Sequence, residues 1–296
     1  MKFKSAFWVA ALLAVVVIAF ALAAARPYMA GKVRGEERAP ARTPAPPAAE
    51  EKAPAEFCDL AVYYVKAASY DTYLVREVHR IPVTKDIYRS AVQELISGTP
   101  STPGAQRVLP PGTRVLGVTV AGGTATVDFS REVLRANVGS AGEALGIASI
   151  VNTLTELPGV ERVSFTVEGG LDEETMDWWG HVGLYGQPFQ RDLSVVYEPA
   201  IWVTHPVPGQ KVGFPLEVRG SARVFEGTVN LRLAEEGGRV LAETFTTATT
   251  GAPGRGDFSA VLFPPASSPG RGRLYVFWIS PEDGREMDVV TVPLVW

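Results

Sequence analysis

The longest apolar run of the sequence lies at its start. Residues 7–25 are nineteen consecutive positions without a charge, a proline or a glycine, and Lys2 and Lys4 precede them. A run of this length is typical of a membrane-spanning helix, which needs about 17 or more apolar residues. The three alanines at 23–25 also fit a signal cleavage site. Residues 1–25 are therefore predicted to be a membrane anchor or a cleaved signal peptide, with the body extracytoplasmic.

A stretch with almost no large apolar residue follows. Residues 26–56 are rich in Ala, Pro, Glu, Arg and Lys, so they cannot build a core. Proline-rich chains of this kind favour an extended polyproline conformation. We expect a linker that holds the rest of the chain at a distance from the membrane.

Residues 57–193 alternate between strand-like and helix-like apolar patterns. After two strands, Thr84 is expected to cap a helix whose apolar residues recur at helical spacing. A hairpin with Gly122 and Gly123 at its turn follows, then a second helix with one apolar stripe and a last strand. This order predicts an α+β domain with two helices on a small mixed sheet. The predicted strands are 60–65, 73–78, 114–121, 124–129 and 160–167, the second helix is 141–156, and its stripe is Ala144, Ile147, Ala148, Val151 and Leu154.

Residues 194–296 are a succession of short strands separated by turn residues. Seven strands in about a hundred residues predict an all-β, immunoglobulin-like sandwich. Because the chain has a single cysteine, Cys58, this sandwich would depend on apolar packing without a disulfide. The predicted strands are 201–205, 216–222, 228–234, 240–246, 256–263, 273–280 and 287–295.

Charge and candidate chemistry exclude several functions. The net charge of −4 gives no indication of nucleic-acid binding. His79, His181 and His205 are scattered and form no metal-binding motif, so neither a metal, another cofactor nor a catalytic site is expected. The acidic residues at 172–177 are expected to stabilise the first turn of a short helix over 172–179.

Four residues are candidates for an interaction surface. Trp178 and Trp179 are adjacent, so on a helix they would point to different sides, one into the protein and one toward a partner. Phe225 and Glu226 precede a glycine at a strand boundary, which suits either a buried hydrogen-bonded corner or a recognition loop.

Several motifs point to known families. In the first domain they are LPPGT at 109–113, VDFS at 127–130, IVNTLTELPGV at 150–160 and VEGG at 167–170, and residues 183–192 fit a C-terminal extension. These motifs resemble the GerMN domain of sporulation and spore germination proteins. In the second domain they are HP at 205–206, PLEVRGSA at 215–222, VFEG at 224–227 and ISPEDG at 279–284. These resemble Gmad2, the immunoglobulin-like domain of bacterial spore germination.

The resemblance implies an envelope protein without known catalysis. GerMN-type folds are similar to ring-building motifs, which implies assembly, either with envelope or sporulation proteins or with further copies of the chain. We therefore expect a non-enzymatic protein of the cell membrane, secreted if the signal is cleaved, that acts in sporulation or germination.

Two other functions remain open at this stage. A peptidoglycan- or carbohydrate-binding protein is suggested by the supply of aromatic residues on a sandwich. A hydrolase has no supporting motif. The aromatic residues concerned are Trp178, Trp179, Tyr185, Trp202, Tyr275 and Trp278.

Overall fold

The computed structural model describes residues 56–265 and 269–296. The predicted anchor or signal (1–25) and nearly all of the predicted linker (26–56) lie outside these residues. Within the described ranges, no helix combines the length and the apolar character needed to cross a membrane.

The first region, residues 56–198, begins with a long antiparallel hairpin. Its strands pair without interruption from Phe57 opposite Pro82 to Ala67 opposite Thr72. Consecutive side chains of a strand point to opposite faces, and Tyr63 and Tyr64 are both buried, so the hairpin is covered on both sides. The strands of the region are β1 (Phe57–Ala67), β2 (Thr72–Pro82), β3 (Ala105–Gln106), β4 (Val115–Ala121), β5 (Thr124–Phe129), β6 (Arg162–Val167), β7 (Phe189–Gln190) and β8 (Val196–Glu198).

These strands form two four-stranded sheets, so the prediction of one small mixed sheet is wrong. One sheet has the order β3-β1-β2-β8 and the other β4-β5-β6-β7. The short strands β3 and β8 occupy the two edges of the β1–β2 hairpin. The second hairpin, β4 and β5, belongs to the other sheet. Both sheets contain parallel and antiparallel pairs, as expected for a mixed α/β region.

Three helices accompany the sheets: α1 (Ile87–Ser97), α2 (Ser140–Thr155) and α3 (Glu173–Asp177). The predicted cap of α1 at Thr84 is wrong, because Asp86 accepts the hydrogen bond from the backbone N–H of Arg89, at 3.0 Å. The hairpin turn at Gly122 and Gly123 is confirmed, and both glycines have positive φ.

Helix α2 differs from the predicted single stripe. Ala144 is exposed, whereas the polar residues Glu143, Ser149, Asn152 and Thr153 are buried. The helix is thus enclosed on most of its circumference, and its polar side chains must find partners inside the protein.

The second region, residues 199–296, contains all seven predicted strands. They are β9 (Ile201–His205), β10 (Leu216–Ala222), β11 (Thr228–Glu235), β12 (Val240–Thr247), β13 (Gly256–Leu262), β14 (Arg271–Ile279) and β15 (Glu286–Val295). They form two sheets with the orders β13-β10-β9 and β12-β11-β14-β15. The two sheets enclose an apolar core of alternating side chains, such as Val218, Leu231 and Val276. This arrangement is the predicted immunoglobulin-like sandwich.

The two regions belong to one compact unit, Ala53–Trp296. Strand β8 lies beyond the predicted end of the first domain at residue 193, yet it pairs with β2 of the first region. The connection to the sandwich therefore begins after Glu198.

Candidate interaction surface and domain junction

The structure buries both tryptophans that were predicted to contribute to a surface. Trp178 is 3% exposed and Trp179 is 6% exposed, so the prediction that one of them faces a partner is wrong. The helix was expected to continue to residue 179, but α3 ends at Asp177 and Trp178 has φ of 51°. This turn places the two indoles side by side, with centroids 5.6 Å apart.

Helix α2 makes room for Trp179. A Cβ at Gly146 of α2 would collide with the indole ring of Trp179. The indole Nε1–H of Trp179 donates to the carbonyl of Val133 at 2.7 Å. The tryptophan pair is therefore part of the first region's core.

Phe225 and Glu226, in contrast, are exposed. The phenyl group of Phe225 retains 50% of its accessible surface. Residues 224–227, here called the Phe225 loop, form a short 3-10 turn between β10 and β11. The loop therefore presents an aromatic and an acidic side chain to the surroundings.

The backbone of the Phe225 loop is held tightly. The carbonyl of Val224 accepts hydrogen bonds from the N–H groups of Gly227 (3.1 Å) and Ala252 (2.8 Å). A Cβ at Gly251 would lie 2.6 Å from the backbone nitrogen of Gly227. Glu226 has φ of 51°, a left-handed conformation that costs a non-glycine residue about 1 kcal/mol. The exposed side chains thus extend from a strained but fixed backbone.

At the junction of the regions, Arg255 of the sandwich bonds to the backbone of β8 and of the two residues that follow it. Its guanidinium donates to the carbonyls of Val196 (3.0 Å), Tyr197 (3.3 Å), Pro199 (2.6 Å) and Ala200 (3.2 Å). Burial, together with the nearby positive charges, lowers the pKa of Arg255 to about 9, so the group stays protonated at neutral pH.

Trp202 crosses the same junction. It is 6% exposed and packs into a cluster of first-region side chains that includes Tyr63, Leu74 and Leu145. The guanidinium carbon of Arg255 lies 3.9 Å from the centroid of its ring system and that of Arg76 lies 5.2 Å away. The indole therefore interacts with one cation from each region.

Side chains of β8 make further contacts at the junction. Tyr197 stacks on Tyr73, with centroids 4.6 Å apart, and Arg223 of the sandwich lies 3.7 Å above the Tyr197 ring. Glu198 accepts hydrogen bonds from Lys66 at 2.8 Å and from the hydroxyl of Tyr73 at 2.6 Å.

Next to the junction, Glu156 receives several donors. Arg76 lies 3.3 Å from it, Arg191 pairs with it, and the Tyr63 hydroxyl donates to it at 2.5 Å. Burial opposes ionisation of Glu156, but the two arginines outweigh it and hold its pKa below the usual range. Burial also raises the pKa of Tyr63, so the hydroxyl remains a donor.

A cleft of about 680 Å³ lies between this cluster and the sandwich. Its floor is the outer face of β13, β10 and β9, and the first region contributes Glu156, Arg191 and Leu193. Most of the lining residues on the sandwich side carry a polar side chain, and Phe258 adds an apolar one: the polar residues are Thr204, Arg219, Ser221, Thr247, Thr249, Asp257 and Ser259. Trp202 also lines the cleft, but its burial leaves no broad aromatic platform there.

The three histidines do not form a common site. His79 lies between two carboxylates, with Nδ1 2.7 Å from Glu94 and Nε2 2.7 Å from Glu77. His181 donates its backbone N–H to Glu143 at 2.8 Å. In the described ranges, no group of three or more His, Cys, Asp or Glu residues is arranged to hold a metal ion.

Of the acidic residues at 172–177, Asp172 caps α3 and Glu173 and Glu174 lie in its first turn, as predicted, whereas Asp177 is its last residue. Asp172 accepts hydrogen bonds from the backbone N–H (2.8 Å) and hydroxyl (2.7 Å) of Thr175. These bonds, with the one from Arg131, lower the pKa of Asp172 to about 2. Arg131 also pairs with Glu174 at 2.6 Å.

Sequence reasoning missed the junction. Arg255 precedes Gly256 and Asp257 in a glycine-rich segment, a composition that is typical of an exposed turn. Its partners are backbone carbonyls, which leave no residue-type signal in the sequence. From the sequence, Trp202 was predicted only as one of the aromatic residues that could stack on a sugar.

Comparisons with known proteins agree with this architecture. The family model described as sporulation and spore germination matches residues 61–173. The model described as the immunoglobulin-like domain of bacterial spore germination matches residues 200–285. No curated protein matches the chain.

Several solved structures are similar to part of this chain. The tandem GerMN domains of the sporulation protein GerM from Bacillus subtilis are 27% identical, with 49% of this chain and 48% of that chain covered and a TM-score of 0.38. This chain thus spans about half of the tandem structure. For the first GerMN domain of the same protein, the identity is 22%, the shares are 45% and 98%, and the TM-score is 0.39. A putative lipoprotein from Clostridium perfringens is 17% identical, with shares of 46% and 89% and a TM-score of 0.33.

The two family models match separate, consecutive parts of the chain. The chain therefore contains a region that matches the sporulation and spore germination model, followed by a region that matches the immunoglobulin-like domain of bacterial spore germination.

Proposed function

We propose that this protein is a non-catalytic, membrane-tethered envelope component that acts in sporulation or spore germination by binding other proteins. The families of both regions support the process. The observation that carries the binding mechanism is the Phe225 loop, an exposed aromatic residue on a strained and tightly bonded backbone.

The properties of this loop suit protein recognition. Aromatic side chains are frequent anchors of protein interfaces, and a fixed backbone lowers the entropy lost on binding. Backbone strain that is retained at an exposed position is common at functional sites. The loop's partner would offer an apolar pocket for Phe225 and a basic group for Glu226.

Complementation in the native organism tests the process and the surface together. A strain that lacks the gene should form fewer heat-resistant spores or germinate more slowly, and the wild-type gene should restore both. Phe225→Ala should fail to restore them at a normal protein level. Phe245→Ala is the matched control, because Phe245 is a 70% exposed phenylalanine on β12 of the same sandwich.

Each result has a distinct meaning. Normal sporulation and germination in the deletion strain would contradict the proposed process. Restoration by Phe225→Ala would contradict the proposed surface while leaving the process standing. A photoreactive residue at position 225, but not at position 245, should crosslink to a defined envelope protein.

The tether is tested separately. We propose that residues 7–25 are retained as the anchor, with the linker holding the two domains outside the membrane. Fractionation followed by N-terminal sequencing should find the intact chain in the membrane fraction. A soluble protein that begins after residue 25 would show that the segment is a cleaved signal.

The alternative of glycan binding loses three of the six aromatic residues that suggested it. Sugar stacking needs exposed aromatic faces, but Trp178, Trp179 and Trp202 are all at least nine-tenths buried. Tyr185 is 68% exposed but lies apart from the sandwich sheets. Co-sedimentation of the purified protein with cell wall would revive this alternative.

A further inference from the structure

At the junction between the two regions, Arg255 bonds both to a strand of the first region and to the segment after that strand. Arg255 belongs to the turn before β13 of the sandwich, whereas Val196 and Tyr197, which accept its hydrogen bonds, lie on β8 of a first-region sheet. A single side chain therefore bonds one region to the backbone of the other. Its other two acceptors, Pro199 and Ala200, belong to the segment that follows.

We propose that Arg255 is an interdomain lock that holds the sandwich in one orientation relative to the GerMN domain. A connecting segment between two domains ordinarily permits relative motion unless the interface is large and apolar. Here the apolar part of the interface on the sandwich side is small and centres on Trp202. The orientation therefore depends on directional hydrogen bonds.

The geometry favours arginine over every other residue type. Four carbonyls converge on one guanidinium, whose planar fork supplies five N–H donors. A lysine offers three donors at one point and cannot reach acceptors spread along five residues. The guanidinium also stacks near Trp202, which an ammonium group would do less well.

The lock has a consequence for the neighbouring cleft. Glu156, Arg191 and Leu193 line it from the first region, and residues of β9, β10 and β13 line it from the sandwich. If the orientation is fixed, the width of the cleft is fixed too. A ligand or partner segment would then meet a preformed site, without a closing motion.

Pulsed electron paramagnetic resonance on the full chain tests the lock. Spin labels at Gln93→Cys and Thr291→Cys, both exposed positions in regular elements of the two regions, report the interdomain distance when Cys58 is replaced by Ala. The wild-type junction should give one narrow distance distribution. Arg255→Ala should lose it and give a broad distribution, and Arg255→Lys should broaden it as well.

Arg239→Ala is the matched control. Arg239 is an exposed arginine in the turn before β12 that pairs with Glu235 of β11 and does not line the cleft, so its removal should leave the distribution narrow. A narrow distribution in Arg255→Ala, or a broad one with Arg255 intact, would overturn the lock. Thermal unfolding establishes that each variant is folded, and if Arg255→Ala is not, Arg255→Lys decides. The outcome does not depend on which partner the Phe225 loop binds.

Discussion

The first region and the sandwich bury different kinds of side chain. Among the described residues, eight of the nine polar side chains that are buried lie in the first region, and Ser221 is the one in the sandwich. Most of the eight form hydrogen bonds to backbone groups that no strand or helix ladder pairs. The sandwich core consists of alternating apolar side chains of facing strands.

Helix α2 shows why the first region needs polar groups. Ser149 donates to the carbonyl of Tyr63 at 2.5 Å, and the N–H of Tyr63 donates to Thr153 at 3.1 Å. Asn152 forms a reciprocal pair of bonds with the backbone of Asp192, at 2.7 and 2.9 Å. The polar side chains of α2 thus bond to backbone groups that no neighbouring strand pairs. The first region should therefore lose stability when a single buried polar group is removed, and the sandwich when a buried apolar side chain is shortened.

The largest effect is expected for Glu143→Ala. This fully buried carboxylate accepts the N–H groups of His181 and Gly183, both at 2.8 Å. Its removal would leave two backbone donors without partners, which should lower the free energy of unfolding by about 3 kcal/mol. Denaturant unfolding followed by tryptophan fluorescence measures the change. Glu173→Ala, at an exposed position of α3, should be nearly neutral.

A much smaller loss of stability in Glu143→Ala would contradict the proposed difference between the two regions. If the variant lost less than Glu173→Ala, the buried carboxylate would not stabilise the fold through its hydrogen bonds, and the contrast between the two regions would lose its main support.

A pH dependence of the first region should follow from Glu77 and His79. Burial would raise the pKa of Glu77, but hydrogen bonds from His79, Ser101 and Thr102 outweigh it and lower the pKa to about 2. Because the folded pKa lies below the unfolded one, Glu77 contributes stability above about pH 4.5 that is lost as the pH falls toward 2. Glu77→Gln should reduce this loss of stability at low pH. Urea unfolding at a series of pH values measures the free energy of unfolding of both proteins.

The stability that His79 contributes depends on pH in the opposite direction. Burial would lower its pKa, but the hydrogen bonds with Glu77 and Glu94 raise it. Its contribution is therefore complete below about pH 6.5 and is lost as the pH rises through the raised folded value. His79→Gln should remove the alkaline loss. An unchanged pH profile in both variants would show that the cluster does not couple protonation to folding.

Two buried serines provide a matched pair for the next effect. Ser149 of α2 donates at 2.5 Å to Tyr63, whereas Ser221 of β10 donates at 3.2 Å to the carbonyl of Gly256. Ser149→Ala should lower the free energy of unfolding by about 1–2 kcal/mol, because it leaves a buried carbonyl without this donor. Ser221→Ala should cost less than about 1 kcal/mol, since its bond is long. Equal losses would contradict the contrast.

The same contrast explains what the sequence could predict. The sandwich strands β9 and β10 agree with prediction residue for residue, because turn residues bound each of these short segments. The number of sheets in the first region was missed, because the two-residue strand β3 and the three-residue strand β8 have no pattern of their own. Buried Glu143 and Asn152 were missed because polar residues on a helix ordinarily indicate its exposed side.

The candidate surface was predictable only in part. The VFEG motif drew attention to Phe225 and Glu226, and both are exposed. The tryptophans were misjudged because one residue with positive φ redirected them. Arg255 could not be found, since its role depends on where the backbone of a distant segment lies.

The smallest expected effect compares two strained glutamates, one in each region. Glu168 has φ of 50° in the turn after β6, and Glu226 has φ of 51° in the Phe225 loop. Glycine adopts this conformation without the steric cost, so Glu168→Gly and Glu226→Gly should each raise the free energy of unfolding by up to about 1 kcal/mol. Thermal unfolding of the two variants measures the gain.

If the strain at Glu226 is retained for recognition, Glu226→Gly should be more stable yet fail in the sporulation and germination assays, whereas Glu168→Gly should be more stable and fully active. Full activity of Glu226→Gly would remove the carboxylate from the proposed surface and leave Phe225 as its only tested member.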